Sequence, residues 1–464
     1  MDERLISPGG TDALCENLVN TAYEDLSEEN VRIFRDRLLD MAGCIFGGAT
    51  VKENDFLEER YLQWGGKEEA RVFASGGKRL PLPNAAMLNA LKARSNDYGS
   101  MLFKIHGAAM PSHVGETLLP LNLTLADHFG PSGRQFIANN VASEDLAGRL
   151  LFSLKVRMPA DMLLITSAAA AVAGRYYGLD AAQMKSALSY AATNATDPAG
   201  AYYNYSEELY LHNGVSAQTG IMCAEYARGG WRGFTDPYFG RSALLSKNAE
   251  DGEYPENYEA IFSDLGKVYY TECAIKKFPG GIPMTSVAFA GRKLHQMILD
   301  RYGSVDPEKI ACVHFFASRR IFHGYYSNPF VLRNHLNALF AYRFAAASSV
   351  MYGVVSVKTV QTEAIMADKE LVRLAEEATM DFYEPAGGAP LVRVAVEMKD
   401  GTTLEAEESF MIMEDYPSRD VIIAKFMDQF NAYGKLPASH AEKIIELAGR
   451  VEEIGDMREF TELL

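Results

Sequence analysis

The chain reads as a mainly α protein with a smaller α+β unit placed late in the sequence. Three observations carry this. Apolar residues recur at helical spacing through most of residues 1–265, with few alternating runs. Strand signals enter in residues 266–415, where Ile310 to Ala317 reads IACVHFFA, and Leu391 to Met398 and Thr402 to Ala406 flank the Asp400-Gly401 turn of an antiparallel hairpin. Beyond Tyr416 the helical period returns, in Asp420 to Phe430, His440 to Ala448 and Met457 to Leu463.

Taken in order, residues 11–26 form one amphipathic helix. Ser27 caps a stronger one whose stripe holds Phe34, Leu38, Leu39, Ala42, Ile45 and Phe46, and Gly47-Gly48 stops it. A charged helix over 51–63 and a short strand at Arg71 to Ala74 follow. Asn84 is the expected cap of a helix carrying Met87, Ala90, Leu91 and Arg94 at i, i+3, i+4 and i+7. A second helix starts near Glu116, with Pro120 in its first turn, and 130–150 mixes loop and helix. Leu163 to Tyr177 is rich in alanine, which suits a helix held closely between neighbours. Asp180 to Thr193 is helical, Gly200 to Asn213 an aromatic loop, and Ala217 to Ala227 helical again up to Gly229-Gly230. The polar, acidic stretch 241–265 closes this part. In the late unit, helices are expected over Pro283 to Tyr302, Leu336 to Tyr352 and Ala367 to Ala378.

Composition removes whole classes of function. A net charge of −16 over 464 residues, with no long basic stretch, argues against nucleic acid. The five cysteines are scattered and odd in number, as expected of reduced thiols in a cytoplasmic chain and not of a disulfide framework or a zinc site. The opening MDERLISPGG has no signal-peptide pattern, and no apolar run reaches the length of a membrane span. Walker A, GxGxxG, GxSxG and HExxH motifs are all absent. That leaves acid–base chemistry from His, Asp and Lys without a metal or cofactor, or no chemistry at all.

The segment from Asn84 to Phe129 concentrates such residues. Between its two helices lie Asp97, Lys104, His106 and His113, an acid, a base and two imidazoles. His113 falls just ahead of a helix N-terminus, whose amides and dipole favour an anion and keep the ring neutral. The competing reading is a polar connection with surface histidines.

Several stretches together resemble the MmgE/PrpD family. Leu38-Leu39-Asp40-Met41-Ala42-Gly43 is similar to its early LLDxxG helix, and Asn84 to Tyr98 to the segment that ends in the family's aspartate. His113 to Pro120 (HVGETLLP) keeps the spacing of HPSxxxLP. Ala168 to Asp180 resembles the alanine-rich helix ending in GLD, His212 to Gly233 the HxGxxAxxG segment, and Lys276 to Pro279 (KKFP) the KPYP motif. The resemblance spans nearly the whole chain and implies a large helical domain built from both chain ends, 1–265 completed by 416–464, with 266–415 inserted as an α+β domain. It implies a homodimer without metal or organic cofactor, whose cleft between domains takes a small di- or tricarboxylate. Asp97, His113 and Lys276 match the family's active-site aspartate, histidine and lysine.

Other family positions differ. A second lysine becomes Leu209, a tyrosine Phe344 and a histidine Thr285; Gly281 and Ile282 replace a Cys and an Arg, Arg94 replaces a histidine, and no histidine precedes the alanine-rich helix. The mechanism this implies starts with a proton alpha to a carboxylate. His113, oriented by Asp97, is the first candidate to remove it, while Lys276, helped by Arg94 or the helix start after His113, holds the substrate's charge. The alternative role for Lys276 is the acid that assists departure of a hydroxide or returns a proton to the other face. Loss of a leaving group makes the enzyme a lyase of dehydratase type. Return of the proton to the other face makes it an epimerase or isomerase, and a non-catalytic ligand binder is the third alternative. Lys104 and His106 lie in an insertion relative to the family and, with Arg94 and His212, are candidate substrate contacts; Arg319, Arg320 and His323 are read as solvated or dimer-facing.

Overall fold

The structure is a computed structural model, and it describes residues 9–153, 162–196, 201, 204–240, 243–245, 257–318, 331–383, 391–409 and 416–464. Arg319, Arg320 and His323, and most of the acidic 241–256 stretch, lie outside those residues.

Helices α1 (Gly10–Asn20), α2 (Glu28–Gly48), α3 (Asp55–Trp64), α4 (Leu82–Arg94), α5 (Gly115–Phe129), α6 (Gly133–Ser153), α7 (Met162–Tyr176), α8 (Ala181–Thr193) and α9 (Glu208–Arg228) make up the first part. The Ser27 side chain accepts from the Asn30 amide at 3.1 Å and starts α2, as its sequence requires. Asp180 does the same for α8 through Gln183. The cap expected at Asn84 is displaced. Pro81 precedes the helix, and Asn84 instead accepts from Gln218 of α9 at 3.0 Å. Residues 130–150, expected as mixed, form one helix, and α9 begins at Glu208 inside the stretch expected as aromatic loop. Because α5 starts at Gly115, Pro120 lies in its interior and not its first turn.

Alanine-rich α7 is held between neighbours as expected. A Cβ on Gly220 of α9 would come within 2.4 Å of the Ala169 side chain. Close approach of this kind lets α9 pack against both α7 and α4.

The late unit has α10 (Ile282–Tyr302), α11 (Tyr342–Tyr352) and α12 (Lys369–Glu377) against a four-stranded sheet. Short two-stranded ladders come earlier in the chain, β1 (Ala70–Arg71) with β2 (Arg79–Leu80), β3 (Ser100–Met101) with β6 (Ala274–Ile275) and β4 (Phe103–Ile105) with β5 (Ala108–Met110). The sheet itself is built from β7 (Ile310–Ala317), β8 (Thr379–Phe382), β9 (Leu391–Met398) and β10 (Thr403–Ser409) in the order β10-β9-β7-β8. The expected hairpin pairs Thr403 with Glu397 in antiparallel register. Strand β8 was hidden from the sequence by its lack of alternation, and it pairs with β7 in parallel, His314 against Thr379. The helix expected over Leu336 to Tyr352 is broken: His335–Leu339 and α11 are separate, and the Leu339 carbonyl accepts from the Gly281 amide at 3.1 Å.

The chain's last helices, α13 (Arg419–Tyr433) and α14 (Ala438–Gly449), return to pack on α2. Phe46 of α2 meets Phe430 of α13 edge-on, with ring centroids 5.1 Å apart. Among the described residues no helix is long and apolar enough to cross a membrane.

Candidate active site

Helix α4 ends at Arg94, and the Asp97 amide bonds back to the Arg94 carbonyl at 2.8 Å. Asp97 then takes a left-handed backbone, φ 45°. Aspartate tolerates that region better than most residues, and it turns the chain out of the helix. A two-stranded ladder follows, β3 (Ser100–Met101) with β6 (Ala274–Ile275), pairing Ser100 with Ile275. The ladder brings Lys276, 179 positions away, onto the turn: its ammonium bonds the Asp97 carbonyl at 3.0 Å and Asp97 Oδ1.

The expected trio converges. His113 Nδ1 lies 3.9 Å from Asp97 Oδ1. Its nearer partner is Glu116, at 3.1 Å from the same nitrogen. Glu116 Oε2 also lies 3.1 Å from the Arg94 guanidinium, which itself contacts Asp97 Oδ1. Glu116 Oε1 accepts from the Gly99 amide at 2.8 Å. Only glycine fits at 99, since a Cβ there would lie 2.5 Å from Glu116 Cγ. All five side chains are buried.

Glu116, not Asp97, is therefore the acid that orients His113. Asp97 is turned to its two cations. A carboxylate on Nδ1 selects the tautomer with the proton on Nδ1 and makes Nε2 the ring's acceptor. Burial alone would raise both carboxyls. For Asp97, Arg94 and then Lys276 more than offset this and hold it well below the usual range. For Glu116, Arg94 and the His113 hydrogen bond also outweigh burial and lower its carboxyl. Asp97, His113 and Glu116 present ligand atoms all within 4.8 Å of one another, a spacing a divalent ion could use. Arg94 and Lys276 already balance the two carboxylates there.

The helix start after His113 does not present a vacant anion site. Glu272 occupies it, its Oε1 accepting from the Gly115 amide at 3.1 Å and from Ser112 Oγ at 2.7 Å. Glu272 Oε2 accepts from Ser100 Oγ at 2.7 Å, and the buried Arg37 bridges Glu272 and Glu144. No substrate carboxylate can use the Gly115 amide while Glu272 caps it, so the anion site expected at this helix start is filled from within the chain.

Lys104 and His106 are not part of the cluster. They lie on and beside a hairpin of β4 (Phe103–Ile105) and β5 (Ala108–Met110). Lys104 is exposed beside Asn30, Lys267 and Tyr270. His106 Nε2 meets the Ala260 carbonyl at 3.1 Å, and its ring packs near Phe152 and Tyr270. His212 is buried on α9, and the neighbouring Asn213 bonds Thr117 of α5 at 2.8 Å. Burial first, then the charge of Arg94, lower the His212 pKa to about 4 against the opposing Thr196 backbone, so this ring is neutral at pH 7. Its nitrogens make no well-formed hydrogen bond among the described residues.

Lys276 also forms part of the wall of a pocket lined by Met101, Ile275, Lys277, Ile282, Phe289 and Tyr416. Lys277 points away from the cluster, with its ammonium 5.6 Å from the centre of the Phe289 ring. Leu209 and Phe344 are buried in the main apolar core.

A sequence model described as the MmgE/PrpD N-terminal domain matches residues 12–254. Cis-aconitate decarboxylase of Homo sapiens is 23% identical over 462 residues, covering 95% of this chain and 91% of that protein. The enzyme of the same name from Mus musculus is 22% identical over 464 residues, covering 95% and 90%.

Proposed function

The chain belongs to the MmgE/PrpD family, a family of enzymes, and on that premise we propose that it is a lyase acting on a small carboxylic acid. Its first step is removal of the proton alpha to the carboxylate by His113 Nε2. The observation that supports this most is the Glu116–His113 contact at 3.1 Å beside the Lys276–Asp97 pair. Glu116 holds the ring in the tautomer that accepts at Nε2, and Lys276 supplies positive charge where the enolate develops. The named relatives decarboxylate cis-aconitate. Here the carbanion's fate, loss of a leaving group or return of the proton to the other face, decides between lyase and epimerase. The same reading takes 1–265 with 416–464 as one domain, 266–415 as the other, the cleft between them as the substrate's entry, and the working unit as a homodimer.

The test is isotope exchange. A panel of carboxylic acids is incubated with the enzyme in D₂O, and loss of the α-proton signal is followed by NMR. The expected result is exchange by the wild type and about a hundredfold slower exchange by Lys276→Met, on the order of the 10²–10³-fold that one positioned electrostatic group contributes. Exchange that proceeds equally in the variant would contradict the role given to Lys276.

A further inference from the structure

We propose that Lys425 is a positioning residue for the site: through one peptide unit it holds Glu116, and through Glu116 the His113 ring. For its consequence in catalysis this rests on the reading of His113 as the base. Two observations lead to it.

The first is how the turn after α4 is held. Asp97 keeps a left-handed backbone, a conformation that lasts only where surrounding contacts over-determine it. Four successive carbonyls supply such contacts, and each accepts from a residue far along the chain. Ser95 accepts from His335 Nε2 at 2.8 Å, Asn96 and Asp97 from the Gly280 amide at 3.2 and 3.1 Å, and Asp97 also from Lys276. The fourth, Tyr98, accepts from the ammonium of Lys425, which is buried on α13. Taking a lysine out of water is costly, and Asp40 of α2 offsets the cost as counter-ion at 2.6 Å. Neither Asp40 oxygen makes a well-formed hydrogen bond among the described residues, so the directed bond of that ammonium is the one to the turn.

The second is what lies at the other end of the same peptide. The Gly99 amide donates to Glu116 Oε1 at 2.8 Å, and Glu116 Oε2 meets His113 Nδ1 at 3.1 Å. Lys425 and Glu116 therefore grip opposite ends of the planar Tyr98–Gly99 peptide. Hydrogen bonds in a chain polarise one another, so a cation on the carbonyl strengthens the amide's hold on Glu116. The Lys425 ammonium also lies 4.0 Å from the centre of the Tyr98 ring, and the Tyr98 hydroxyl donates to the Lys277 carbonyl at 3.0 Å. One ammonium thus fixes the last peptide of the turn and the ring that tethers the segment bearing Lys276. An ion pair serving only to join α2 and α13 would need neither contact.

The experiment follows the His113 Nδ1–H proton by NMR on the full chain carrying isotope-labelled histidine, the signal being assigned by its loss in His113→Gln. Held against Glu116, this proton should resonate downfield and exchange slowly with water. Lys425→Met leaves Asp40 buried without its cation, so the double variant Asp40→Asn with Lys425→Met, which removes both charges, is made beside it. In whichever of the two folds, the His113 signal should move upfield and exchange with water about tenfold faster, the scale of one hydrogen bond. The Nδ1–H of His295, on the Val350 carbonyl at 2.8 Å, should stay where it is. An unmoved His113 signal, equal shifts at His113 and His295, no downfield His113 signal in the wild type, or failure of both variants to fold would each overturn the proposal. α-Proton exchange in D₂O separates it from the proposed function. If His113 responds as described but the wild type exchanges no acid of the panel, the proton-abstraction reading falls and this one stands. If the wild type exchanges and the His113 signal ignores Lys425, the reverse holds.

Discussion

Two buried charge clusters meet at the start of α5, and they use the same materials differently. On one side of Gly115 sit Arg37, Glu144 and Glu272; on the other, Arg94, Lys276, Asp97, Glu116 and His113. In the first, one guanidinium serves two carboxylates, and Glu272 is further tied to two serine hydroxyls and a backbone amide. Burial pushes its carboxyl up, with Arg37 opposing. Nothing in it is placed to exchange a proton with a ligand. In the second, cations and carboxylates balance, both carboxyls are held low, and an imidazole stands at the edge. Buried charge alone does not mark an active site; what sets the second cluster apart is balanced charge beside an imidazole held by a carboxylate. The first cluster positions the helix, and the second uses the position.

Variants can break this division. The largest effect on stability is expected from Arg37→Met, which leaves Glu144 and Glu272 buried without their cation. A loss of about 3–5 kcal/mol is typical when one partner of a buried pair is removed. Urea denaturation measures it, and a loss under about 1 kcal/mol would show that the cluster is not structural.

Gly115→Ala comes next. Its Cβ would lie 2.3 Å from Glu272 Oε2 and 2.6 Å from the Arg37 guanidinium. About 1–3 kcal/mol is expected from such overpacking. Because α5 also carries Glu116, activity should fall with it; full activity in a destabilised protein would mean that the two clusters are uncoupled.

The pH dependence should differ in sign between them. Asp97 and Glu116 have folded pKa values below their ordinary 3.8 and 4.5, so they contribute stability above those values and lose it as pH falls through the lower folded ones. Glu272 is raised above 4.5, so its contribution is present below 4.5 and is lost as pH rises through the higher folded value. Urea midpoints should rise more steeply above about pH 4.5 in Glu272→Gln than in the wild type, and should fall less steeply as pH drops below about 4 in Asp97→Asn, by amounts on the order of 1.4 kcal/mol per unit of pKa shift. Equal slopes would contradict the assignment.

The smallest effect is expected from Lys277→Met. Its ammonium faces the Phe289 ring and not Asp97, so exchange should change no more than about threefold, the scale of an exposed cation–π contact. A loss equal to that of Lys276→Met would move the functional lysine by one position.

Much of the helical framework was legible because its helices carry their own signals. Ser27 and Asp180 cap as their types suggest, and the stripe from Phe34 to Phe46 is buried. The start of α9 was hidden because Tyr202 to Asn213 (YYNYSEELYLHN) mixes aromatic and polar residues without a visible helical period. The break between Leu339 and Tyr342 comes from a tertiary contact, the Gly281 amide on the Leu339 carbonyl, which no local pattern records. At the site, Asp97, His113 and Lys276 stood out through their motifs. Glu116 did not, since an acid in the first turn of a helix is ordinary on the surface. Arg37, Glu144 and Glu272 are spread over 235 positions on separate elements, and only folding shows them as one group. Lys104 and His106 misled because a cluster of polar types in one loop does not say which of them the hairpin turns outward.

The central claim is that His113, held by Glu116, takes the proton. The direct measurement is the α-proton exchange rate in D₂O of His113→Gln beside the wild type, with the urea midpoints of both proteins recorded. Exchange slowed by about a hundredfold or more is expected, with stability changed by less than about 1 kcal/mol. Undiminished exchange in a folded His113→Gln protein would contradict it.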